Sequence, residues 1–376
     1  MSVFKEFGTS TAAVAAAAHL KQVRLMVGTD KRKYEVQTQL SIETREMARM
    51  PQVKWMKKRL RPYMERELKY SGLGFSVYNG QPVVIQWKKS DSTQWAMHEE
   101  QIKFLTALLA SIDDPSFLSL PCQGHYHIQD KARFGIVYAT PPGASETSSP
   151  SWEKTSLYDL FDTVPHVSLG RRIAIAKAIA EAVLQLHTAG WLHKNLRSEN
   201  IVFFTEKGSP ASKAVVSDPY IFGYDLARPD TQAGAAYTQM ADIDLARDLY
   251  RHPKAQGHDR EAYQKRFDMY ALGCLLVELI FWKRLVHIQA EWTGADLVAK
   301  LREAAETNKM PEDWKLPDMM DLFANEEAVV RMDSLAGGKF LRAAKACTFI
   351  EPAGEGEEAS LEDEIDAVEV LKSCRV

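Results

Sequence analysis

Residues 190–204 read "GWLHKNLRSENIVFF", a run of eight residues (193–200) in which Leu196 is the one apolar side chain, set between apolar flanks. A long amphipathic helix leads into it. Ser168 supplies the N-cap, Leu169, Ile173, Ala176, Ala180, Val183 and His187 run down one side, and Gly190 closes the end. The run is therefore a polar loop held at the end of a buried helix. His193, Lys194, Asn195, Arg197 and Asn200 supply an imidazole, two cations and two amides, but Asn195 at the centre cannot take a proton near neutral pH. Whether such a loop can still do chemistry is decided by the residues around it.

The chain has 376 residues with 45% hydrophobic content, enough for a sizeable core and for two domains or one large two-lobed one. No run of 18 apolar residues occurs, and the Ala-rich "TAAVAAAAHL" is too short to span a bilayer, so no membrane span is expected. The four cysteines, Cys122, Cys274, Cys347 and Cys374, form no CxxC pair, which removes the usual zinc and redox spacings and makes a reducing, cytoplasmic setting the default. Net charge is -3, but its distribution is uneven: residues 1–70 carry 15 Lys/Arg against 7 Asp/Glu, whereas 351–369 hold nine acids and no base. The basic stretch "KWMKKRLR" (54–61) has the helical spacing of an ordinary solvated face, so nucleic acid is not the expected partner.

From Gly74 the hydrophobic period changes from helical to alternating. "GFSVY", the turn pair Asn79-Gly80 and "QPVVIQWK" predict a hairpin, with Val83, Ile85 and Trp87 on one face and Val84, Gln86 and Lys88 on the other. A helix is expected through "HEEQIKFLTALLASI", with Ile102, Leu105, Leu108, Leu109 and Ile112 as its apolar stripe, and a strand at "RFGIVYAT". The Ser/Thr/Pro-rich "SETSSPSWEKTS" behind it is expected to be a surface crossing. Beyond the 168–190 helix, "FDMYALGCLLVELIFW" is apolar on nearly all sides and should lie in the core.

This order, with "LHKNLRSEN" directly behind a long helix, resembles the protein-kinase fold. Across residues 74–345 the chain is most similar to kinase-like domains of filamentous fungi, often found behind HeLo-type domains in incompatibility and cell-death proteins. The pieces "VVIQWK", "LPCQGHYH", "FGIVYATPP", "GWLHKNLRSENIVFF", "PYIFGYDLARP", "YRHP" and "FDMYALGCLLVEL" carry the resemblance in register. It implies an α+β, two-lobed, protein-kinase-like fold, with a small antiparallel N-lobe carrying one helix at 71–140 and a larger helical C-lobe at 141–346; outside these lobes residue pattern and charge give a helical basic N-terminal arm at 1–70 and an acidic tail with a helix at 347–376.

Phosphoryl transfer needs a glycine loop and a lysine for the phosphates, acid and amide ligands for Mg²⁺, and an acid to accept the hydroxyl proton. In the family pattern HRDLxxxN, Asn195 stands where that acid would be, Asn200 matches the metal-binding amide, and Arg197 falls where a phosphate-contacting lysine is usual. The alternative is that His193 and Asn195 simply brace the loop. The DFG slot falls on Gly223, Tyr224 and Asp225, so the metal-binding acid has become a glycine; a rival register makes Asp218 the metal ligand, against the plain reading of Asp218-Pro219 as a turn. Lys88 matches the strand lysine and puts Gln86 over the adenine position; in the other register Gln86 itself replaces the lysine, and either arrangement weakens ATP binding. Glu99, Glu100 and Gln101 compete for the partner-acid position. Gly72 and Gly74 are expected to be turn residues rather than a phosphate cradle.

Architectural parts are kept. Asp268 matches the buried acid that hydrogen-bonds the catalytic-loop backbone. In the "YRHPK" stretch (250–254) Lys254 replaces the acid of a C-lobe ion pair, and Lys194 replaces the arginine that would read a phosphate on Thr231, Tyr237 or Thr238. With base, metal acid and phosphate loop all altered, the expectation is a pseudokinase: a scaffold for protein partners, in fungal self-recognition or cell-death signalling if the resemblance extends that far. No cofactor and no metal are expected. The alternatives are an atypical phosphotransferase placing Mg-ATP on Asp218 or Asp225, and a nucleotide-sensing switch. The acidic tail, with Ser360 capping "LEDEIDAVEVLKSC", docks on this domain or on a partner, or is a solvated surface helix.

Overall fold

A computed structural model of the chain describes residues 72–78, 81–89, 95–112, 114–128, 133–141, 152–230, 245–256, 260–294, 297–307, 316–350 and 361–375. The readings of the N-terminal arm, of the Asn79-Gly80 turn and of Thr231, Tyr237 and Thr238 lie outside them. The chain is α+β, with antiparallel sheets and many helices, in two compact units.

The first unit holds residues 72–155 and the returning segment Val202–Arg228, so it extends past residue 140. Strands β1 (Leu73–Tyr78) and β2 (Gln81–Lys89) pair antiparallel, followed by helix α1 (Trp95–Ala110) and strands β3 (Cys122–Ile128) and β4 (Arg133–Ala139), in the sheet order β1-β2-β4-β3. Ile102, Leu105, Leu108 and Leu109 of α1 and Ile112 just beyond it are buried, as their helical spacing requires. Alternation along β2 divides its side chains as anticipated: Val83 and Ile85 pack with Val137, with Trp87 and Tyr78 against them, while Val84, Gln86 and Lys88 point the other way. Gly74 is not in a turn; it lies within β1 opposite Ile85. Gly72 immediately precedes that strand, and its carbonyl accepts from Trp87 N–H at 2.8 Å.

The predicted surface crossing is corrected in part. Trp152–Ser156 is a strand, β5, joined to β6 (Ile201–Glu206) and β7 (Pro219–Ile221) in the order β5-β6-β7. Polar composition hid it because its side chains are only half-covered, and Lys154 reaches the carbonyl of Leu73 at 2.8 Å. Phe204 of β6 stacks edge-on with Phe75, Tyr220 and Phe222, which ties the two sheets of this unit together.

The second unit holds Ser156–Ile201 and Pro229–Val376. Among the described residues, and apart from the single helical turn Leu245–Asp248, the helices after α1 are α2 (Leu157–Thr163), α3 (Leu169–Thr188), α4 (Ala211–Val216, in the first unit), α5 (Lys265–Phe281), α6 (Leu285–Trp292), α7 (Leu297–Thr307), α8 (Met319–Ala324), α9 (Glu326–Ala336), α10 (Gly338–Thr348) and α11 (Leu361–Lys372). Ser168 Oγ accepts from Arg171 N–H at the start of α3, and Gly190 adopts φ 74° just past its end. Helix α5 is the core of this unit, with every residue from Arg266 to Ile280 buried, in accord with its all-round apolarity. Arg172 on α3 caps its C-terminus by donating to the carbonyls of Ile280 (2.6 Å) and Leu279 (3.2 Å). The acidic tail is not a solvated surface helix. Ala367, Val368 and Leu371 bury one face of α11 on α10 and α3, and even Glu364 is inside.

Helices α5 and α10 meet at Gly273, where a side-chain carbon would sit 3.2 Å from Thr348 Cα. Gly273→Ala is expected to cost about 1–3 kcal/mol, because overpacking outweighs the better helix propensity of alanine. Denaturant unfolding of the variant against the parent measures it; a stabilised variant would mean that the two helices part easily.

Candidate functional site

In the first unit, Gln86 and Lys88 leave β2 on the face shared with their cross-strand neighbours Ile136 and Phe134 and with Tyr138. That face is closed: Gln86 is 3% and Lys88 4% exposed, and Val84, Phe134, Ile136 and Tyr138 are buried around them. Beyond β7 the chain turns at Gly223, whose φ of 90° is a conformation that disfavours any residue with a Cβ. The turn brings Asp225 back towards β2. Gln86 then spans it, accepting from Gly223 N–H at 3.2 Å and donating from Nε2 to Asp225 Oδ1 at 3.2 Å, while Lys88 Nζ donates to the Asp225 carbonyl at 2.6 Å. Burial lowers the Lys88 ammonium to about 8, with the Asp225 charge opposing. Tyr224 between them is buried, and burial holds its phenol well above the ordinary range.

Both sequence registers for the strand lysine thus converge on one place, because residues two apart on a strand share a face. Gln86 does not merely crowd the pocket; its amide is the clasp of the Gly223–Asp225 turn. Asp218 is not part of this cluster. It is exposed at the head of β7 and makes no hydrogen bond to Lys88 or Gln86. Glu99 pairs with Lys103 on its own helix at 3.0 Å, and the side chains of Glu100 and Gln101 lie outside the described ones.

In the second unit the 193–200 loop is built on Asp268. Its buried carboxylate accepts from the backbone N–H of His193 (2.6 Å) and Lys194 (2.8 Å) and from Tyr263 O–H (2.8 Å). These bonds hold Lys194 at φ 65°, which costs a side chain about 1–2 kcal/mol. Within the loop, Asn195 N–H donates to His193 Nδ1 at 3.3 Å and Asn200 Nδ2 donates to the Asn195 carbonyl at 2.6 Å. His193, Asn195 and Asn200 therefore brace one another. Arg197 is buried, with Nε 3.9 Å from Glu199 Oε2. Ser198 Oγ lies 2.9 Å from Tyr250 O–H and donates to Glu278 Oε1 at 3.2 Å; Tyr250 donates to the same oxygen at 2.6 Å, as does Leu285 N–H at 2.8 Å. Burial pushes Glu278 up to about 8 against these bonds.

Behind Asp268 stands His187. Its Nε2 is 3.2 Å from Asp268 Oδ2 and its Nδ1 is 2.7 Å from Glu364 Oε2, all three groups being fully buried. Burial opposes the imidazolium, but Glu364 and Asp268 together raise it to about 9, and in turn the His187 hydrogen bond holds Asp268 below the usual carboxylate range against its own burial. Sequence reasoning passed over Glu364 and Glu278. The signal for Glu364 was present: it occupies the apolar stripe of α11, at the spacing of Ala367, Val368 and Leu371. Lys254 pairs with Glu261 at 3.2 Å, and Glu261 also pairs with Arg266 at 3.0 Å. Among the described residues no three His, Cys, Asp or Glu side chains cluster as a metal site, and no helix is long and apolar enough to cross a membrane.

Part of the chain is similar to a kinase-related protein. It is 30% identical over 161 residues to kinase suppressor of Ras A from Caenorhabditis elegans, a match covering 41% of this chain and 19% of that protein. No family model matches the chain.

Proposed function

We propose that this chain is a pseudokinase: a kinase-shaped module that binds protein partners in a cytoplasmic signalling assembly rather than transferring phosphate. The observation that carries the reading is the Gln86 clasp. The strand positions that would meet a nucleotide are engaged by the chain's own turn, with Lys88 on the Asp225 carbonyl and Gln86 on both Gly223 and Asp225. The loop supports it from another side, because Asn195 carries an amide where transfer requires a proton acceptor. The relative's name, kinase suppressor of Ras, agrees with a kinase-related role in signalling. The narrower role in fungal self-recognition or cell death, and the docking of the basic arm on a partner, rest on motif resemblance alone.

Thermal unfolding of the full chain with and without Mg²⁺ and ATP tests the proposal. No shift is expected. A saturating shift, about 2.7 kcal/mol at a hundredfold excess over the dissociation constant, accompanied by ADP formation would overturn it. A shift independent of metal and without product would point to a nucleotide-sensing switch instead.

A further inference from the structure

We infer that the C-terminal helix α11 is a latch on the 193–200 loop, acting through the buried chain Glu364, His187, Asp268. This holds whether or not the module binds nucleotide. The helix is tied at both ends. Near its start Glu364 reaches His187 at 2.7 Å, and Glu364 Oε1 has no partner among the described residues, so the carboxylate is held by that one contact. Past its end, Lys177 on α3 and Lys339 on α10 donate to the carbonyls of Cys374 (2.7 Å) and Ser373 (3.4 Å). Between these ties Ala367, Val368 and Leu371 are buried.

The coupling to the loop follows from what each group needs. A buried imidazole is oriented by the bond at its other nitrogen. With Glu364 on Nδ1, Nε2 faces Asp268 Oδ2, the same oxygen that accepts His193 N–H at 2.6 Å. Unseating α11 removes that orientation and a compensating donor from a fully buried carboxylate. The carboxylate then holds the His193 and Lys194 amides less firmly, and Lys194 depends on that hold to keep its left-handed backbone. A partner that competes for the buried face of α11 would thereby act on the loop from behind.

Hydrogen exchange on the full chain separates a latch from simple core packing. Glu364→Leu keeps α11 seated by an apolar side chain while cutting the chain of polar contacts. Exchange in the 192–197 segment is expected to rise about tenfold or more, with α9 unchanged. Unchanged exchange in that segment, or an equal rise in α9, would overturn the inference. If E364L does not fold, E364Q gives the same reading with a smaller rise, and Val368→Ala, which thins the packing and leaves the polar groups intact, should raise α11 and the 192–197 segment together. Because exchange is followed without nucleotide, failure here is separate from failure of the ATP experiment.

Discussion

Asp268→Ala is expected to lower the stability of the second unit by about 3–5 kcal/mol, the range for removing one partner of a buried charged network. The carboxylate is fully buried and meets four donors: the backbone N–H groups of His193 and Lys194, Tyr263 O–H and His187. Alanine leaves a cavity and strands all four. The charged His187 then faces Glu364 alone, and Lys194 loses the bonds that hold its positive φ. Asp268→Asn should cost less, since one oxygen remains, but its amide nitrogen faces donors and cannot satisfy them. Denaturant unfolding of both variants checks the order. A loss below about 1 kcal/mol for the alanine variant would show that the loop is held by its own contacts and not by α5.

Asp268 was legible in the sequence through the resemblance of "FDMYALG" to the kinase pattern, and the structure gives the physical reason for an acid there: it is buried near the head of α5 and meets the donors of the 193–200 loop. The paired strands β1 and β2, α1, β4 and α3 were legible from residue period and type: α1 and α3 carry apolar stripes at helical spacing, while β2 and β4 are short runs rich in Val, Ile and aromatic residues. Strand β3 was not singled out as a strand by its alternation, because its register with β4 shifts between Cys122 and Gly124 and breaks the period of two. Strand β5 was hidden by its polar composition. For the site, spacing placed Gln86, Lys88 and the Gly223–Asp225 slot in order along the chain, but no period encodes that Gln86 would bridge residues 137 and 139 positions away. Glu364 was obscured by its neighbours: an acidic run reads as solvated, and the one member turned inward is distinguished only by its register with Ala367 and Leu371.

Raising the pH from 6.5 to 8 is expected to destabilise the second unit steeply, by about 2 kcal/mol per pH unit. Two buried groups set the slope. His187 keeps its proton to about 9 when folded but only to about 6.5 when unfolded, so its contribution is complete below 6.5 and is lost as pH rises through 9. Glu278 is also raised, to about 8 from 4.5, so the folded state holds a proton that the unfolded chain has already released. Between 6.5 and 8 the folded unit therefore binds about one and a half protons more than the unfolded one. The other shifted groups leave this window alone. His252, lowered to about 4 by burial and by Arg266 and Lys254, acts below 6.5, and Asp268, whose folded value is depressed, contributes above its ordinary value and loses that only in acid. Lys88, lowered to about 8 by burial in the first unit, weighs against folding at lower pH, and that penalty is relieved only as pH rises above about 8. Urea unfolding of the full chain at pH 6.5, 7.2 and 8.0 should show the fall, and Glu278→Gln, which cannot titrate, should halve it. A flat profile in the parent protein would mean that both groups are solvated enough to titrate near their ordinary values, and that the second unit is less tightly closed around the loop than its contacts imply.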